Sequence, residues 1–189
     1  MMSRPRFWLV LAIAWTVLQF DSQDRTLDAQ EAAQSEYQLK AVYLYNFAKF
    51  VEWPPESFQE PNAPFVIGVI GDDPFGPYLE DAVRNKTIGP HSFVVRHVRL
   101  IADARKCHIL FISNSERRRL TDLLNGIRGI PVLTVSDLDR FLESGGMIRF
   151  YMEGKKVRFQ INNGAAKHAD LKISSKLLQL GTREKEQKK

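Results

Sequence analysis

Residues Glu36–Pro55 read EYQLKAVYLYNFAKFVEWPP, and this stretch decides how the rest of the chain must fold. Apolar side chains fall at Leu39, Val42, Tyr43, Phe47 and Phe50, with Val51 and Trp53 at the exit. That i, i+3, i+4 spacing is one face of a helix. Ser35 serves as N-cap with Gln38 as its capping-box partner, and Pro54-Pro55 end the helix because the residue before a proline leaves the α region. A helix with this many aromatics on one side has to be covered, so its stripe is core packing rather than a cofactor box.

Downstream, Phe65–Gly71 (FVIGVIG) is a short β-branched run bounded by Pro64 and Asp72-Asp73, the mark of a buried strand. Asp73 and Pro74 predict the cap and first position of a helix from Pro74 to Arg84, and Asn85–His91 reads as a loop. Ser92–Val98 and Cys107–Ser113 give two more strands, with at most a helical turn at Ile101–Arg105. A helix is expected over Ser115–Ile127. Pro131–Val135 gives a fourth strand, and Ser136 is placed to cap a helix over Asp137–Glu143. Met147–Met152 and Lys156–Ile161 alternate around Glu153-Gly154-Lys155, a hairpin signal. Short helices are expected at Ala165–Ala169 and Ser174–Leu180, with Ser174 as cap. Strands alternating with helices predict an α/β domain: a three-layer sandwich around a mainly parallel sheet, with an antiparallel C-terminal hairpin at its edge.

The stretches KAVYLYNFAKFVEWP, PFVIGVIGDDPFG, CHILFIS and INNGAAKHADLKISSKLLQLG occur in this order along the chain. Together they resemble the YfiR family of small secreted regulatory proteins, a domain otherwise described as of unknown function. The resemblance spans residues 36–181. It implies a periplasmic protein that binds the sensing domain of an inner-membrane diguanylate cyclase, holds it off and keeps cyclic di-GMP low. The partner it implies is that cyclase or another membrane sensor protein. Some relatives have a disulfide near Cys107; this chain has one cysteine, so that staple and any redox control through it do not transfer.

The organisation of the remaining chain agrees with export. Arg4 and Arg6 precede an apolar run from Phe7 to Phe20 that is shorter than the ~20 residues a membrane span needs. Residues 1–29 therefore read as a signal peptide and the start of a linker, with cleavage near Ala29 or Ala33. Residues 30–35 continue the linker, 36–181 form the domain, and 182–189 a charged tail. The chain has 189 residues, a formal charge of +5 and 26% charged residues. This is the composition of a globular domain whose basic balance suits anionic headgroups or an acidic partner. No basic cluster interleaved with aromatics points to nucleic acid.

Chemistry is sparse. GVIGDDPFG joins strand to helix, yet its glycines fit neither the dinucleotide nor the Walker spacing. Asp72-Asp73 is similar to the acidic pair of phosphoacceptor receivers, but the position that would carry the acceptor aspartate falls near Ser113, so no acyl phosphate can form. The four histidines share no metal-ligand spacing, Cys107 lies in an apolar run, and no nucleophile elbow occurs. Arg117-Arg118-Arg119 reads as a solvated face. The sequence thus predicts a regulator without catalytic residues, cofactor or metal. Its partner-binding surface is expected in the hairpin and C-terminal segment, at Phe159, Ile161, Asn162, Lys172, Ser174 and Lys176. The alternative is a small-ligand module acting with a membrane receptor or sensor kinase, its crevice at the strand ends near Asp72, Asp73, Ser113 and Ser136. An open hairpin edge permits a homodimer.

Overall fold

A computed structural model describes residues 30–183. The expected signal peptide and the tail beyond residue 183 lie outside the described residues. The chain divides after Glu36: residues 30–36 are helical, and Tyr37 onward forms the α/β body. The helix α1 runs over residues 30–50, so it begins before Ser35 and takes in the stretch expected to be linker.

The strands are β1 (Val51–Glu52), β2 (Phe65–Ile70), β3 (Thr87–Ile88), β4 (His91–Val98), β5 (Ile109–Ile112), β6 (Leu133–Ser136), β7 (Ile148–Glu153), β8 (Lys156–Ile161), β9 (Lys172–Ile173) and β10 (Thr182–Arg183). Eight of them form one sheet in the order β10-β8-β7-β6-β5-β2-β4-β3, and β1 pairs with β9 in a separate ribbon. The neighbours β4, β2, β5, β6 and β7 run parallel. The β7–β8 hairpin adds an antiparallel strand. It is not the edge, because β10 pairs in parallel with β8 at Gln160 and Ile161. The segment expected to be tail at Thr182–Arg183 therefore closes part of the edge on which a homodimer was imagined.

Every residue of β2, β5 and β6 is buried, as a parallel sheet covered on both faces requires. Strand alternation splits the core in two. Phe65, Ile67, Val69, Ile109, Phe111, Leu133 and Val135 point to the face that α1 covers with Ala41, Leu44, Phe47 and Ala48. Val66, Ile70, Leu110 and Ile112 point to the other, which Leu120, Leu123 and Leu124 of α4 (Leu120–Gly126) cover. Phe47 is central to the first face, its ring 5.1 Å from Phe159 and 5.7 Å from Phe150; truncating it to alanine would cost about 3–5 kcal/mol.

The face of α1 differs from the expected one. Leu39 and Val42 are 43% and 42% exposed, while Lys40 is 2% exposed. The buried row is thus 40/41, 44, 47/48 and 51, one step round from the aromatic stripe. The helix predicted from Pro74 is α2 (Tyr78–Val83). Asp73 Oδ1 instead accepts from the Phe75 amide at 2.8 Å, closing a separate turn four residues before Pro77, the N-cap position of α2. A short α3 occupies Ile101–Ala104. The helix predicted over Ser115–Ile127 is a 3-10 segment at Asn114–Arg119 followed by α4. No helix forms over Asp137–Glu143, where Arg140 sits at φ 61°, a conformation that interrupts right-handed helix. The last two helices, α5 (Asn163–His168) and α6 (Ser175–Leu180), are present, and Ser174 caps α6 by accepting from the Leu177 amide at 3.3 Å.

Gly68, mid-β2, shows how tightly the second face is filled. A Cβ there would lie 2.5 Å from Cys107 Sγ and 3.0 Å from Val98 Cγ2. Gly68→Ala should therefore destabilise the protein by about 1–3 kcal/mol in urea unfolding. Adding Cys107→Ala, which removes the clashing sulfur, should return part of that loss; strictly additive effects would show that the sulfur is not the obstacle.

Candidate functional site

The carboxyl ends of the parallel strands gather residues far apart in sequence. Ile70, Ile112 and Ser136 are adjacent across the sheet, so the turns that follow them bring Asp72, Asp73, Ser113 and Asp137 to one end. Gly71 makes the first turn at φ 89°, a region open to glycine, and the Asp72 amide donates to Ser115 Oγ at 2.9 Å. Of the four residues expected to line a crevice, only Asp72 is exposed. Asp73 turns back on Phe75 and stands 3.8 Å from the His97 ring. Ser113 is 5% exposed. Ser136 is fully buried; it donates to the Ile112 carbonyl at 2.7 Å and accepts from the Leu138 amide at 3.1 Å. The Ser136 hydroxyl staples two strand ends, and Ser113, held by its backbone to Ile70, is buried beside it.

What occupies this end is an ion pair that sequence reading passes over. Lys40 Nζ lies 2.7 Å from Asp137 Oδ2, and the Tyr37 hydroxyl donates to the same oxygen at 2.8 Å. The ammonium also sits 4.3 Å from the centre of the Tyr37 ring. A cation this deep needs a partner; here the partner comes from the loop after β6, so the pair locks α1 to the sheet. The only sequence signal was a lysine on the apolar side of an otherwise regular helix.

The C-terminal segment is built differently. Phe159 and Ile161 are 5% and 4% exposed, with Tyr43 and Phe47 packed on the Phe159 ring. They support a surface from behind and cannot themselves meet a partner. Asn162 is half-buried and caps α5 by accepting from the Ala165 amide at 3.0 Å, and Ser174 caps α6. Lys172 and Lys176 are exposed. Lys176 Nζ lies 5.3 Å from the Phe50 ring, and Leu180 is 64% exposed at the end of α6. Val51 pairs with Ile173 and Glu52 with Lys172, which joins this basic and apolar surface to the exit of α1.

At the opposite end of the strands stands His108. Its ring stacks on Phe58 at 4.4 Å and Phe65 at 4.6 Å, and Phe58 in turn stacks on His91 at 3.9 Å. His108 Nδ1 accepts from the Val66 amide at 3.0 Å, which puts the proton of the neutral ring on Nε2. Burial lowers its pKa from 6.5 to about 4, partly opposed by the Ser57 carbonyl and reinforced by His91. Burial likewise pushes the neighbouring Cys107 thiol up to about 11, so it stays protonated at neutral pH and makes a poor nucleophile. Among the described residues, no three of His, Cys, Asp and Glu converge as a metal site. No helix among them is long and apolar enough to cross a membrane.

A family model described as YfiR/HmsC-like matches residues 37–182. That range is nearly the whole α/β body, from the α1 residues that carry the ion pair to the first residue of β10. No curated protein matches the chain.

Two outcomes test these assignments. Lys40→Met leaves Asp137 without its buried cation and should cost about 3–5 kcal/mol in urea unfolding. Lys40→Met combined with Asp137→Leu should recover a part of it; a single mutant within about 0.5 kcal/mol of wild type would show the pair to be solvated. For His108, the folded pKa lies below the unfolded value, so the unfolded chain binds more protons between the two. Stability should be full above pH 6.5 and fall as pH drops toward about 4. His108→Gln should flatten that part of the melting-temperature profile, and an unchanged profile would remove His108 from the account.

Proposed function

The chain belongs to the YfiR/HmsC-like family, and from that premise we propose that it is a periplasmic regulator of diguanylate cyclase signalling. It binds the periplasmic sensing domain of an inner-membrane cyclase and holds that enzyme in its inactive conformation, which lowers cyclic di-GMP. The observation that carries this reading is the family match, which spans the α/β body rather than one motif. The family is regulatory rather than catalytic, and the assignment is of a binding protein, not an enzyme.

The mechanism is a population shift. A regulator that prefers the inactive over the active sensing domain a hundredfold biases the two-state equilibrium by about 2.7 kcal/mol. The surface assigned to this contact is the outer side of β9 and α6, where Lys172, Lys176 and Leu180 are exposed. An apolar anchor together with cations suits an acidic-rimmed partner surface. The buried Phe159 and Ile161, with the caps at Asn162 and Ser174, fix the shape of that surface.

The test is intracellular cyclic di-GMP in the native host, with the gene intact, deleted and restored. Deletion should raise the nucleotide, and the exported protein should reverse the rise. A version lacking residues 1–29 should not, because it never reaches the sensing domain. Lys176→Glu with Leu180→Asp should leave the melting temperature within a few degrees of wild type and abolish the reversal. Unchanged cyclic di-GMP on deletion, with the protein being produced, would overturn the cyclase assignment.

A further inference from the structure

The amino ends of the parallel strands hold a cavity of about 390 Å³, closed by Pro64, Val66, Cys107, His108 and Pro131 and by the loop carrying Glu56 and Ser57. This end lies across the sheet from the strand ends that carry Asp72 and Asp137. The volume is in the range of small-molecule sites.

The charge around it is one-sided. Arg96, Arg105 and Lys106 line it against a single acid, Glu56. Arg105 is held in place by two hydrogen bonds to the Gly126 carbonyl, at 3.0 and 2.8 Å. Lys106 reaches Asp103 at 3.1 Å. Arg96 has no ion-pair partner among the described residues. Two further polar atoms of the cavity wall are buried without a full hydrogen bond: Ser57 Oγ, and His108 Nε2, which faces the Ser57 carbonyl but makes no well-formed bond to it. A folded protein rarely leaves such groups unmatched, because a buried donor gives up its bond to water and gains no partner in return. Both are donors here: a hydroxyl can rotate its proton inward, and the His108 ring carries its proton on Nε2 because Nδ1 accepts from Val66.

We propose that this cavity binds a small organic anion through a carboxylate or phosphate group, with Arg96 and Lys106 at the mouth supplying charge and Ser57 and His108 beneath supplying hydrogen bonds. The site is independent of the regulatory reading above, since it lies on elements that the assigned docking surface does not use. Its occupant would bridge the loop at Glu56–Ser57 to the start of β5, giving Ser57 Oγ and His108 Nε2 the full hydrogen bonds they lack.

Inorganic phosphate and succinate are the two probes, each titrated into the purified full chain against sodium chloride of equal ionic strength. At least one of them should raise the melting temperature above the chloride control and shift the backbone amide signals of Cys107 and His108; which one does so separates a phosphate from a carboxylate site. Arg96→Gln and Lys106→Gln should each weaken that binding about tenfold, the equivalent of one charge-assisted contact. Arg117→Gln, a basic residue of the 3-10 segment outside the cavity, should bind as wild type does. Both cavity variants should melt at the wild-type temperature in chloride alone, which separates lost binding from lost folding. Shifts no larger than those in chloride, or equal binding by the two cavity variants, would overturn the assignment.

Discussion

A parallel sheet buried on both faces is the constraint from which the rest of this molecule follows. Three adjacent strands, β2, β5 and β6, expose no residue, so each face must be roofed by apolar side chains from elsewhere. The roof over one face is α1, and it must be placed precisely, since Leu44 and Phe47 are fully excluded from water. The Lys40–Asp137 pair does that placing at one end of the helix. At the other end β1 pairs with β9. Between these points the aromatic rings of Tyr43, Phe47, Phe150 and Phe159 interlock, and pairs of this geometry add to the burial they provide.

The strands were legible because continuous apolar runs and an alternating hairpin, each set between turn residues, leave little choice, and FVIGVI, CHILFI and the hairpin around Gly154 all lie where the pattern puts them. The Ser174 cap was legible for the same local reason. What the sequence concealed depends on distant contacts. The aromatic part of the α1 stripe packs on the core as expected, at Tyr43, Phe47 and Phe50; Leu39 and Val42 turn outward, and the small residues Ala41 and Ala48 take the buried positions that an aromatic reading passes over. Lys40 looked like a polar position because its counterion is 97 residues away. The turn at Asp73 and the helix expected after Ser136 failed on backbone geometry, through an aspartate that bonds two residues on and an arginine at positive φ.

The same limit applied to function. Asp72, Asp73, Ser113 and Ser136 do lie together at the strand ends, yet Ser113 and Ser136 are buried, and Phe159 and Ile161 belong to the core. Exposure, which decides whether a residue can meet a partner or a ligand, is a property of the packed molecule. It moves attention to Lys172, Lys176 and Leu180 on one surface, and to Arg96 and Lys106 at the mouth of a cavity on another. The surface proposed for docking connects to α1 through the β1–β9 ribbon, so a partner bound there would press on the same helix that roofs the sheet.

That helix also dictates when the protein can fold. It comes early in the chain, yet its buried face rests on β7, β8 and β9, near the other end, and its ion pair closes a loop of 97 residues. Contacts of such long sequence separation form late and slowly. During synthesis, the apolar face of α1 can meet β2, β5 and β6 first but stays partly uncovered until β7, β8 and β9 arrive. For that interval the incomplete chain exposes apolar surface of the kind that favours aggregation.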